Sequence, residues 1–147
     1  MRAVLTGGPC CGKTTLINKL RDRGYKVIEE VARQVIEDRK KVLGEVGDFE
    51  ELQKEISRRQ IIEEDKYDEQ GELFLDRGIG DVFAYSKVLV GRVPNDILFI
   101  NFRNRYDLVF LLERLPFEDD GLRIEKGDEQ AERIHKVLYE TYRNQGY

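Results

Sequence analysis

The chain has 147 residues, enough for one domain with a single core and too few for two. Charged residues make up 37% and the net charge is −4, which argues against a non-specific nucleic-acid binder, since that needs surplus lysine and arginine to displace counterions. No apolar run approaches the roughly 18–20 residues that cross a bilayer, no secretory leader is visible, and adjacent Cys10 and Cys11 have no second pair with which to build a disulfide framework or zinc site. A soluble cytoplasmic protein with reduced thiols, and no membrane or nucleic-acid partner, is the expectation.

Taken in order, "RAVLTG" is a short apolar run closed by glycine and predicts a buried strand. From Lys13 the period changes to that of a helix, with Leu16, Ile17 and Leu20 on one face and Gly24 as the stop. "YKVIEE" predicts a second strand ending in acid, and Val31, Val35 and Ile36 mark a helix that "GEVGD" breaks. Phe49, Leu52 and Ile56 open a long charged helix running to about Tyr67. "ELFLDRG" predicts a third strand with Asp76 at its end. Asp81 is expected to cap a helix through "VFAYSKVLV", and Pro94 and Asn95 to start another. "DLVFLLE" predicts a fourth strand, residues 114–127 a polar lid, and Asp128 the cap of a last helix carrying Ala131, Ile134, Leu138 and Tyr142. Strands that are continuous apolar runs and alternate with helices predict an α/β domain spanning 1–147 with a parallel sheet covered on both faces. The chain stops at "NQGY", where such folds usually add a strand; either the sheet has four core strands or the natural chain continues.

The chemistry concentrates in "GGPCCGKTT", residues 7–15. Gly7, Gly12, Lys13 and Thr14 spell the Walker A pattern between a strand and a helix. Glycines let the backbone curl with N–H groups inward around an anion, and the next helix adds its positive end. Gly7, Gly8, Pro9, Cys10, Cys11, Gly12, Lys13, Thr14 and Thr15 are therefore the candidate nucleotide-binding residues, with Lys13 reaching the outer phosphates and Thr14 a ligand for Mg²⁺. The guanine-reading N-K-x-D motif has no counterpart, because Asn18-Lys19 lies inside the first helix and runs into Leu20-Arg21; ATP is the expected donor. Cys10 and Cys11 fit as small residues beside a phosphate, with a redox switch as the rarer reading.

Asp76, at a strand's carboxyl end, is placed where sites of open parallel sheets gather, either holding Mg²⁺ or orienting a nucleophile; Asp107 begins its strand and is the weaker rival. Glu30 and Arg33 share a face if "EEVAR" opens a helix, and are candidates for accepting a hydroxyl proton and clamping an anion. Glu29 and Glu30 are not separated by chemistry alone. Arg77 reads as an anion clamp or as a surface partner for a carboxylate. Arg123, in the lid, is placed to stabilise charge on a transferring phosphoryl group. His135 reads as structural or exposed, and Arg58, Arg59 and Gln60 as a solvated face.

The segments "TGGPCCGKTTLINKL", "GYKVIEEVAR", "LFLDRGIGDVFAY", "RYDLVFLLERLPFEDDGLR" and "YRNQGY" resemble the small AAA-type P-loop ATPase/kinase family. That family is similar to the nicotinamide riboside kinase domain of the bifunctional NAD-pathway regulators and, more distantly, to nucleoside and nucleotide kinases. The resemblance implies a three-layer P-loop NTPase fold with strand order 2-3-1-4, ATP and Mg²⁺ on Gly12, Lys13 and Thr14, a lid around Arg123, and Glu30, Arg33, Asp76 and Arg77 lining the acceptor side. A kinase acting on an unidentified small nucleoside-like or nucleotide-like acceptor is the leading expectation, with an NTP hydrolase or a nucleotide-sensing module as alternatives.

Overall fold

A computed structural model describes residues 1–67, 71–103, 106–116 and 124–147, with 101–103 as backbone only. Four parallel strands form one sheet in the order β2-β3-β1-β4: β1 (Arg2–Thr6), β2 (Lys26–Ile28), β3 (Leu73–Asp76) and β4 (Leu108–Leu111). This is the order that the family resemblance implies. The register pairs Leu5 with Asp76 and Leu5 with Phe110, so the carboxyl ends of β1, β3 and β4 finish level. The central strands are buried, Ala3, Val4 and Leu75 completely. β4 departs from the expected covering, because Leu108 and Phe110 remain 44% and 45% exposed on this edge strand.

The helices pack around the sheet. They are α1 (Lys13–Asp22), α2 (Val31–Leu43), α3 (Phe49–Asp65), α4 (Ile79–Tyr85), α5 (Asn95–Arg103) and α6 (Asp128–Asn144). Asp48 caps α3, accepting the Glu51 N–H at 2.9 Å, and Glu50 and Glu51 add favourable charge to its first turn. Arg39 on α2 ties to Glu55 on α3 at 2.8 Å. Ile36, Leu52, Ile56, Val82 and Leu138 join the strand side chains in one hydrophobic core.

Three local expectations change. Asp81 lies inside the first turn of α4, reaching back to accept the Gly78 N–H at 3.1 Å instead of preceding the helix. The helix does not continue regularly: Ser86–Val90 is a π-turn ending at Gly91, with the Ser86 hydroxyl bonded to the Val82 carbonyl at 2.8 Å. Asp128 is the first residue of α6 and pairs with Arg114; Gly127 occupies the cap position.

Candidate active site

The loop between β1 and α1 curls through two left-handed residues, Cys10 at φ 58° and Gly12 at φ 75°. Gly7 must be glycine, since a Cβ there would stand 2.6 Å from the Leu112 carbonyl oxygen and 2.8 Å from Cys11 Sγ. The loop is tied down from outside by the Leu115 N–H, which donates to the Cys10 carbonyl at 2.8 Å. No side chain caps α1, so its first-turn N–H groups open toward the loop's mouth beside exposed Thr14 and Thr15. Buried Lys13 folds inward: its Nζ lies 3.0 Å from the Gly7 carbonyl, 2.9 Å from the Gly8 carbonyl and 3.0 Å from Cys11 Sγ. Gly8 and Pro9 are buried on the loop's inner side, and the Gly8 N–H donates to His135 Nδ1 at 3.1 Å. His135, expected to be structural or exposed, touches the phosphate loop across 127 positions of sequence.

Acids gather at the end of β3. Asp76 is buried, its Oδ2 lies 3.5 Å from Thr14 Oγ1, and its Oδ1 has no hydrogen-bond partner. Burial, and then the neighbouring Glu30 charge, push its carboxyl up to about 6, against the pull of Arg77 and Lys13. Burial also acts to raise Glu30, but Arg77, Lys13 and Arg33 overcome it and hold that carboxyl below its ordinary range. Glu29 and Glu30 are thereby separated in space. Glu29 pairs with Arg21 on the surface at 2.5 Å, while Glu30 accepts from Arg77 Nε at 2.8 Å inside the site. Asp107 lies at the opposite end of the sheet, accepting the Arg2 N–H.

Arg77 is a buried junction. Its Nη1 reaches the Gly7 carbonyl at 3.3 Å and Asp81 at 3.2 Å, and its guanidinium stacks over the Tyr85 ring at 5.1 Å. Asp81 in turn accepts from Thr6 at 2.8 Å and from Tyr142 at 2.7 Å. Sequence reasoning treated Asp81 only as a cap; its four partners come from β1, β3, the α4 entry and α6, which no local pattern announces.

Beside the loop opens a cleft of about 660 Å³, part of it open to solvent. Glu30, Arg33, Arg77 and Asp81 line its phosphate side, and Ile36, Ile56 and Val82 its apolar walls. Gln53 and Gln60 project from α3 into the same cleft, both 2% exposed. Gln60 is oriented by Glu64, to which it donates at 2.8 Å. Gln53 lies on the same face of α3, two turns before Gln60, and lines the cleft with it. The solvated face expected for Arg58, Arg59 and Gln60 is therefore wrong for Gln60, which is buried in the cleft, whereas Arg58 is exposed and Arg59 pairs with Asp38. The spacing of Gln53, Ser57, Gln60 and Glu64 beside Leu52 and Ile56 is the signal that marks this buried polar stripe. Of the lid, Glu125 accepts from the Tyr85 hydroxyl at 2.6 Å and Ile124 lines the cleft; Arg123 lies outside the described residues.

The donor set suits Mg²⁺. Thr14 Oγ1 lies 3.5 Å from one oxygen of Asp76, the other Asp76 oxygen is buried without a partner, and Mg²⁺ takes few protein oxygens together with substrate phosphates. Among the described residues no cluster of three or more His, Cys, Asp or Glu forms a fuller metal cage.

Solved structures show the same fold. The NadR protein in complex with NR is 20% identical at a TM-score of 0.71, with 99% of this chain covered. The chain spans 40% of the length of that protein. Deoxyadenosine kinase from M. mycoides, with dCMP and dCDP bound, is 19% identical at a TM-score of 0.66, covering 100% of this chain and 86% of that one. No curated protein matches the sequence. No helix among the described residues is long and apolar enough to cross a membrane. A family model described as an AAA domain matches residues 2–147, so the chain, with its glycine-rich loop between β1 and α1 and its parallel sheet of order β2-β3-β1-β4, belongs to that AAA-domain family.

Proposed function

We propose that the protein is a small-molecule kinase that transfers the γ-phosphoryl group of ATP to a hydroxyl of a nucleoside-like or nucleotide-like acceptor. The observation that carries this reading is the cleft beside the phosphate loop, lined by the charged Glu30, Arg33 and Arg77 and by the amides of Gln53 and Gln60 from α3. A concave pocket of mixed apolar and polar lining is what an organic acceptor needs and what a water molecule as acceptor does not require. A Gln amide offers donor and acceptor side by side, which suits the edge of a heterocyclic base or a carboxamide. The relatives' complexes with NR and with dCMP and dCDP support the same substrate class.

In this reading the loop N–H groups and Lys13 hold the phosphates. Thr14 and Asp76 would hold Mg²⁺, which when bound neutralises charge on the β- and γ-phosphates. Glu30, kept ionised by Arg77, Lys13 and Arg33, takes the proton of the acceptor hydroxyl. The acceptor oxygen bonds to the γ-phosphorus as the bond to the bridging oxygen breaks, and ADP leaves. Arg33 borders the acceptor, and Arg123 in the lid supplies positive charge to the γ-phosphoryl oxygens.

The test is nucleotide turnover with ATP and Mg²⁺, alone and with nucleosides, nicotinamide riboside and nucleoside monophosphates. One compound should raise turnover well above the water rate. Equal turnover with every compound and with none would replace the kinase by a hydrolase, and tight binding without turnover would replace it by a sensor. Gln53→Leu should raise the KM of the active acceptor about tenfold or more while the protein still unfolds cooperatively in denaturant titrations.

A further inference from the structure

We propose that His135 is a positioning residue for the phosphate loop: its Nδ1 holds the Gly8 peptide in the orientation in which the loop receives a nucleotide phosphate. The loop lies directly on α6. A Cβ at Gly8 would stand 3.1 Å from His135 Cβ, 3.2 Å from the Ala131 carbonyl oxygen and 3.1 Å from Arg114 Cδ, so any larger residue would press on α6. At that contact the Gly8 N–H faces α6 and not the anion-binding mouth, and it finds its acceptor in His135 at 3.1 Å. Accepting at Nδ1 requires a neutral ring with its proton on Nε2.

Gly8 is held from both ends, its N–H by His135 and its carbonyl by Lys13 Nζ at 2.9 Å. A nucleotide phosphate that draws Lys13 away removes the second restraint. From then on His135 is the side chain that keeps the Gly8 peptide from turning. Its importance therefore lies in the bound state, beyond the packing of α6.

Burial, and then the charges of Arg114 from the segment after β4 and Lys13 from α1, keep the imidazole from protonating at its ordinary pH; Glu113 and Glu132 pull the other way. Protonation would turn Nδ1 into a donor facing a donor and release the loop.

The proposal rests on the loop binding a nucleotide, and its test separates the two. Metal-free ADP is titrated into the wild type, His135→Phe and His135→Asn, whose Oδ1 takes the place of Nδ1, between about pH 5 and pH 8. His135→Phe should bind ADP about fivefold more weakly or worse at neutral pH, and His135→Asn within about twofold of wild type, with all three melting cooperatively. Wild-type affinity should fall on acidification below the ordinary histidine range by more than the fall that His135→Asn shows, which reports the ADP phosphate and Asp76 alone. Undiminished binding by His135→Phe, an Asn variant as weak as the Phe variant, or an acid fall as large in the Asn variant as in wild type would each overturn the assignment. A wild type that binds no ADP would overturn the nucleotide reading itself.

Discussion

Arg77 holds a left-handed backbone, φ 73°, that glycine would adopt without strain. Its side chain explains the choice, since the guanidinium joins Glu30, Asp81 and the Gly7 carbonyl in one buried junction. Beside it, Asp76 sits in the opposite condition, an acid held where water cannot reach it. Its folded value of about 6 lies above the ordinary 3.8, so the fold retains a proton that the unfolded chain releases between those two values. Stability from this group therefore falls as pH rises from about 4 to about 6, and stays lower above. Asp76→Asn should be more stable than wild type at pH 7 by on the order of 1–3 kcal/mol, and equal to it below pH 4, in urea titrations of the metal-free protein. A variant less stable at neutral pH would mean that the carboxylate is satisfied in the fold. Lys13 and Thr14 were legible as candidates through the G-x-x-x-x-G-K-T spacing and Asp76 through its place at a strand end, whereas Glu30 stood undivided from Glu29 until the fold turned one inward and the other to the surface. Gln53, Asp81 and His135 were not, because what makes each of them matter is a partner or a cleft brought near by the fold.

Among the elements, α4 and α6 show how closely backbone and side chain can be fitted. The Tyr142 ring of α6 lies over Gly80 of α4, and a Cβ on that glycine would come within 2.5 Å of the ring. The same tyrosine donates to Asp81, so its displacement would disturb the junction as well as the packing. Gly80→Ala should cost about 1–3 kcal/mol in denaturant titrations, with ADP affinity reduced in the same variant. A neutral result would show that α6 shifts freely against α4. Here the periodic helices were readable, α6 most clearly, because Ala131, Ile134, Leu138 and Tyr142 keep the helical spacing that their burial requires. The π-turn at Ser86–Val90 was not readable, because its extra residue per turn leaves the apolar sequence of "SKVLV" unchanged.

On the scale of the molecule, the parallel register delivers loop, acids and cleft to one edge of the sheet, with the glycine-rich loop following β1, Asp76 ending β3 and Arg77 directly after it. A ligand at that edge touches segments far apart in the chain, so it should stabilise the whole fold. ADP at about a hundredfold over its Kd should add about 2.7 kcal/mol, raising Tm by about 5–10 °C for a chain of this size, and Lys13→Ala should remove most of that rise. The strand order was legible through the resemblance and the alternation of strands with helices; the half-exposed β4 was not, because coverage depends on what lies beside a strand and not on its own residues. Lys13 brings one last consequence. Its ammonium rests against the carbonyls of Gly7 and Gly8, so under the proposed function phosphate binding is an exchange of partners and not a first encounter. What a lysine variant reports is thus the difference between two attachments of the same charge, and the phosphate contact itself is stronger than the loss of affinity measured when the side chain is removed.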